Sequence, residues 1–126
     1  MKIQNILLID DNEVDNFVNQ HLVIKSNIAE TITVKESAIE ALEYLKTLDE
    51  KFPEIIFLDI RMPGMDGFEF LNHFEKFPVY LKEKCTVYML SSSLSISDLD
   101  RATNNPNVKK FLNKPLDLDS LSDIGS

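Results

Sequence analysis

The chain has 126 residues, 44% hydrophobic and 27% charged, which suits one domain with a proper core and excludes a chain disordered by composition. Thirteen basic residues against 21 acidic ones give a net charge of −8, which argues against binding to a nucleic-acid backbone or to an anionic membrane surface. One cysteine, Cys85, allows no intramolecular disulfide and no C-x-x-C metal knuckle; no apolar run approaches ~18 residues and no secretory signal fits, so a cytoplasmic location is expected.

In chain order, Ile6, Leu7, Leu8 and Ile9 form a short apolar run stopped by Asp10 and Asp11, the pattern of a strand buried on both faces. Val14, Phe17, Val18, His21 and Leu22 are spaced three and four apart and predict an amphipathic helix. Thr31 to Val34 is a second strand. Ser37 and Glu40 have capping-box spacing ahead of a stripe of Ala38, Ala41, Leu42 and Leu45. Ile55, Ile56, Phe57 and Leu58 make a third strand ended by Asp59. The turn-rich loop from Arg61 to Gly67 then leads into a helix capped by Asp66, with Phe68, Leu71 and Phe74 on its apolar face. The connection from Lys76 to Lys84 is long for a helix-to-strand passage. Val87 to Leu90 is a fourth strand, ended by Ser91, Ser92 and Ser93. A weaker helix through Leu99 and Ala102 stops at Asn104-Asn105-Pro106, Val108 to Leu112 is a fifth strand, and a last helix runs from about Asp117 to Ile124. Phenylalanines are assigned to the core by default, although the proximity of Phe70, Phe74 and Phe77 leaves some of them exposed. His21 is assigned to packing or the rim, His73 to the surface and Cys85 to the core or a strand edge.

The order is strand-helix repeated five times, which suits a doubly wound parallel α/β sheet with right-handed crossovers. In such a sheet the carboxyl ends of all strands share one edge, where ligands bind. Asp10, Asp11, Asp59, Ser91 and Lys114 all fall at strand ends. Taken singly, a strand-end Asp is as easily a helix cap, Ser91 a loop residue and Lys114 a solvated charge. Together they point to a site. Three carboxylates at close range need a counterion, and an oxygen-only donor set favours Mg²⁺ or Mn²⁺ over zinc. With a Lys donor and a Ser hydroxyl, the set fits a phosphoryl group, one carboxylate acting as nucleophile.

The segments ILLIDDNE (6–13), IIFLDIRMPGMDGFEFL (55–71), VYMLSSS (87–93) and FLNKPL (111–116) resemble the receiver domains of two-component response regulators. The resemblance implies a flavodoxin-like (βα)5 fold with strand order 2-1-3-4-5, one receiver domain over residues 1–126, and no output domain in this chain. It implies that Asp59 is the phosphoacceptor. Asp10, Asp11, Asp59 and the backbone carbonyl of Arg61 then form the metal site, Asp10 acting through water. Lys114 pairs with the phosphate, and Ser91 and Phe111 form the switch. It also implies a cis bond between Lys114 and Pro115. The donor is expected to be a histidine kinase or a histidine phosphotransfer protein, docking on Val14, Asp15, Val18, Pro115 and Leu116. Phosphorylation is expected to shift the face made by the fourth helix, fifth strand and last helix and so to alter binding of a downstream protein. The chain is expected to be a monomer or a weak, phosphorylation-dependent dimer.

Several positions depart from the usual pattern. Phe111 lacks the hydroxyl of the commoner Tyr, Ser92 replaces a smaller residue, Arg61 places a long cation beside the site where it can meet the phosphoryl group or an acidic neighbour, and Asn105-Pro106-Asn107 replaces a small-residue turn. Two other function classes are open. An aspartate-based phosphohydrolase would ordinarily carry a second Asp two residues after the nucleophile, where Arg61 stands. A docking module with a dead site is disfavoured by the intact polar set.

Overall fold

The computed structural model describes residues 3–48, 50–92 and 95–125. Ser93, expected among the serines ending the fourth strand, lies outside them. The elements are β1 (Ile3–Ile9), α1 (Glu13–Ser26), β2 (Ala29–Lys35), α2 (Ala38–Lys46), β3 (Ile55–Asp59), α3 (Gly67–Phe74), the one-turn α4 (Val79–Lys82), β4 (Thr86–Ser91), α5 (Ile96–Asn104), β5 (Val108–Asn113) and α6 (Leu118–Gly125). The strands form one parallel sheet in the order β2-β1-β3-β4-β5. This is the expected doubly wound topology.

The unbroken apolar runs have a direct cause. Successive side chains of a strand point to opposite faces, and here both faces are covered. Leu7, Ile9, Ile56 and Leu58 face one apolar cluster, completed by Leu42 and Leu45 of α2 and by Phe70 and Phe74 of α3. Ile6, Leu8, Ile55 and Phe57 face a second, completed by Val23 of α1 and Leu121 of α6.

α1 corrects the stripe read from its sequence. Its buried residues are Asn16, Asn19 and Val23, while Val14 and Phe17 stand exposed. His21 is exposed as well. The two amides take the inward positions because they satisfy backbone that the strand ends leave open. Asn16 Nδ2 donates to the carbonyl of Asp10 at 2.8 Å, and Asn19 Oδ1 accepts from the N–H of Leu116 at 2.9 Å. Phe17 is thus an exception to the core assignment. The suspicion that the Phe70, Phe74 and Phe77 group is partly exposed is reversed for its first two members, which are buried: the Phe74 ring lies 6.0 Å from Phe70, 6.3 Å from Phe52 and 6.0 Å from Phe77, centroid to centroid. α4 accounts for the long passage after α3: its Leu81 closes the bottom of the same cluster.

Caps set the helix starts. Asn12 begins α1 by accepting from the N–H of Asp15, and Asp66 and Glu69 form a full capping box on α3. At α2, Ser37 accepts from the N–H of Glu40, but the Glu40 carboxylate reaches back to Glu36 rather than to the cap residue.

Candidate functional site

The carboxyl edge of the sheet gathers Asp10 and Asp11 after β1, Asp59 at the end of β3, Ser91 at the end of β4 and Lys114 after β5. Asp59 is paired in register with Leu90, and the N–H of Lys114 donates to the carbonyl of Ser91 at 2.9 Å, so three strand ends are tied together by backbone. The Lys114-Pro115 bond is cis. Gly67, the first residue of α3, packs directly beneath the site. Its N–H donates to the Ile60 carbonyl at 2.9 Å, and a Cβ there would lie 2.6 Å from the Asp59 carbonyl oxygen.

Lys114 is the ionic centre. Its Nζ lies 2.9 Å from Asp10 Oδ2, 2.8 Å from Asp15 Oδ2 and 3.2 Å from Asp59 Oδ1. The side chains of Lys114, Asp10 and Asp59 are all less than a tenth exposed. Asp10 keeps its other oxygen on the N–H of Asn12 at 3.0 Å. Asp11 is exposed, at the open side of the group. Asp10, Asp11 and Asp59 can each offer an oxygen within 4.8 Å of the others.

The charge balance of this group is negative. Burial pushes the Asp59 carboxyl up to about 6, with the charge of Asp10 adding to the effect and Lys114 opposing it. Burial also works against the charge on Lys114, but its contacts with Asp15 and Asp10 outweigh that and hold the ammonium above its ordinary range. One ammonium therefore faces several carboxylates. The donor set is all oxygen and one member is open to water. That chemistry fits a hard divalent cation, with Asp10, Asp11 and Asp59 as the residues to hold it.

The expected residues divide. Asp10, Asp11, Asp59 and Lys114 converge with Ser91 at one edge, and Ser91 is buried. Phe111 is half-buried, lies opposite Met89 and packs against the cluster under α2 and α3. Of the expected docking residues, Val14 and Pro115 are exposed and Val18 is half-buried. Two need correction. Asp15 is turned inward to Lys114, because α1 starts at Asn12 and brings its first turn over the site. Leu116 is buried in the cluster under α1 and α6 and offers no apolar surface. Arg61 pairs with an acidic neighbour, the carboxylate of Asp98 on α5.

Sequence reasoning missed Asn12, Asn16, Asn19 and the partnership of Asp98. The first three carry a signal after the fact: polar residues at positions 12, 15 or 16, and 19 repeat at helical spacing straight after a strand end. Nothing in the sequence near Asp98 announces its link to Arg61, 37 residues away.

The family profile described as "Response regulator receiver domain" matches residues 6–124. A two-component response regulator from Cytophaga hutchinsonii superposes with a TM-score of 0.92 at 33% identity, covering 98% of this chain and 95% of that one. A probable methanogenesis regulatory protein from Methanothrix harundinacea is 29% identical over 119 residues, 92% of this chain and 75% of that protein. A protein-glutamate methylesterase/protein-glutamine glutaminase from Pseudomonas savastanoi pv. phaseolicola is 33% identical over 91 residues; the match covers 72% of this chain but spans only 23% of that protein's length.

Proposed function

The chain belongs to the response regulator receiver family, and from that premise we propose that it is a cytoplasmic phosphoacceptor switch, filled by one receiver domain over residues 1–126. Asp59 receives a phosphoryl group from a phosphohistidine on a histidine kinase or phosphotransfer protein. A carboxylate oxygen of Asp59 bonds to phosphorus as the bond from phosphorus to the donor imidazole breaks, and the imidazole leaves with the electron pair. The observation that carries this reading is the meeting of the buried Asp59, Lys114 and Asp10 side chains with the exposed Asp11 at one edge of the sheet. Lys114 offers positive charge to the phosphoryl oxygens, and Ser91 offers a hydroxyl from the neighbouring strand end. A Mg²⁺ or Mn²⁺ ion held by Asp10, Asp11, Asp59 and the Arg61 carbonyl would supply further neutralisation of the transferring group.

Val14, Phe17, Val18 and Pro115 form the donor-docking side, since the first two are exposed apolar groups on the helix that borders the site. Once Asp59 is phosphorylated, Ser91 moves toward the new oxygens and Phe111 turns inward, which alters the face made by α5, β5 and α6 and its affinity for a downstream protein.

The test is incubation with Mg²⁺ and acetyl phosphate, read by intact mass. One labile phosphoryl group, absent in Asp59→Asn and without metal, is the expected result. Continuous turnover of varied phosphoesters would instead mark an aspartate-based hydrolase, and no label together with no metal binding would leave a docking module.

A further inference from the structure

α5 is held to the domain in an unusual way. α2 buries four residues and α3 buries five, nearly all apolar. α5 buries two, Ala102 and Asp98, and presents Ile96 and Leu99 to solvent. Asp98 stands in its first turn with its side chain only 7% exposed, and its carboxylate is taken by Arg61, whose own side chain is 64% exposed. Arg61 belongs to the loop that leaves β3 two residues after Asp59. A second arginine contact, Arg101 of α5 over the ring of Phe68 at 3.9 Å, ties the far turn of the helix to α3.

We infer that Arg61 is the residue that carries the phosphoryl charge to α5, by exchanging Asp98 for the phosphoryl group. The inference rests on Asp59 as phosphoacceptor. Both groups can accept a guanidinium through two oxygens, but the phosphoryl group carries up to twice the negative charge of a single carboxylate, so a guanidinium gains more from it. Arg61 has a largely solvated side chain and can turn without disturbing the core. Asp98 cannot adapt in place: an unpaired carboxylate in a buried position is strongly disfavoured, so the first turn of α5 has to open and let water reach it. The penalty on one buried acid thus turns a charge change at Asp59 into movement of a helix that few apolar contacts restrain. Arg101 and Phe68 act as the pivot at the other end.

The test compares the wild type with Asp98→Asn, a neutral replacement of similar shape outside the acceptor site. Each is held in Mg²⁺ with and without acetyl phosphate. Intact mass reads the label, and pulsed hydrogen exchange of the 96–104 segment reads helix opening. The expected result is equal labelling of both proteins, with labelling speeding exchange in the wild type on the order of tenfold and leaving Asp98→Asn unchanged. A purely structural role for Asp98 would shift both states of the variant alike and keep the phosphorylation-dependent difference; that outcome overturns the inference. So does labelling of the wild type with no change in α5. Loss of label in Asp98→Asn alone overturns it too, whereas absence of label in the wild type overturns the acceptor reading itself, so the two failures are distinguishable.

Discussion

Asp59 is the residue whose environment is least comfortable without a cation. Its carboxyl is pushed up to about 6 by burial beside Asp10, so the folded protein holds this proton more tightly than the unfolded chain does. Above about pH 6 the group is ionised in both states and its burial opposes folding; below the ordinary carboxylate range it is protonated in both, and the opposition vanishes. The full displacement corresponds to about 3 kcal/mol, which water at the open edge lowers to about 1–2 kcal/mol. Asp59→Asn should therefore raise the denaturation midpoint of the chelator-treated protein at neutral pH, and the gain should fade as the solution is acidified through 6 toward 4. An equal midpoint for both proteins at neutral pH would contradict the assignment of strain to this carboxyl. Cys85 gives a simpler expectation. Burial lifts its thiol to about 12, so its thiolate is scarce, and alkylation by iodoacetamide at neutral pH should be far slower than in the unfolded chain.

At the scale of elements, α3 and α1 make opposite lessons. The sequence of α3 is legible end to end: Asp66 and Glu69 cap it, and Phe68, Leu71 and Phe74 lie on one buried stripe. Its first residue has a tighter requirement. The space beside Gly67 belongs to the Asp59 carbonyl, so Gly67→Ala should push the helix away from the acceptor and lower stability by about 1–3 kcal/mol, measured by urea denaturation, with a matching loss of labelling at Asp59. α1 misleads because the usual inference equates apolar with inward. Here two of the three inward positions are amides, since Asn16 and Asn19 serve backbone groups near the site, with Val23 as the third, while Val14 and Phe17 are left outside. The two readings differ measurably. Phe17→Ser should leave the denaturation midpoint within about 0.5 kcal/mol of the wild type, whereas Phe70→Ala in α3 should cost about 3–5 kcal/mol.

For the molecule as a whole, the strands were readable because a parallel sheet covered on both faces writes itself as short apolar runs ended by polar residues, while their order was implied by the resemblance to receiver domains. The convergence of Asp10, Asp59, Ser91 and Lys114 followed from that topology alone. What could not be read were the side-chain pairings, Asp15 with Lys114 and Arg61 with Asp98, because they depend on the rotation of a helix about its axis and not on its existence. One sheet separates two apolar clusters, yet β1, β3, β4 and β5 each contribute to both through their alternation, so neither can melt alone. Tyr44 packs against one cluster and Tyr88 lies in the other. Far-ultraviolet dichroism and the fluorescence of either tyrosine, isolated by Tyr→Phe changes elsewhere, should follow one coincident unfolding transition; separate midpoints would refute the shared-sheet account. The ionic centre has a consequence for synthesis. Lys114 is 104 residues from Asp10 along the chain and 99 from Asp15, and it directly follows β5, the last strand of the sheet to be made. A growing chain on the ribosome therefore carries every carboxylate of the site long before it carries their ammonium, and the site is assembled only as the final strand takes its place at the edge of the sheet.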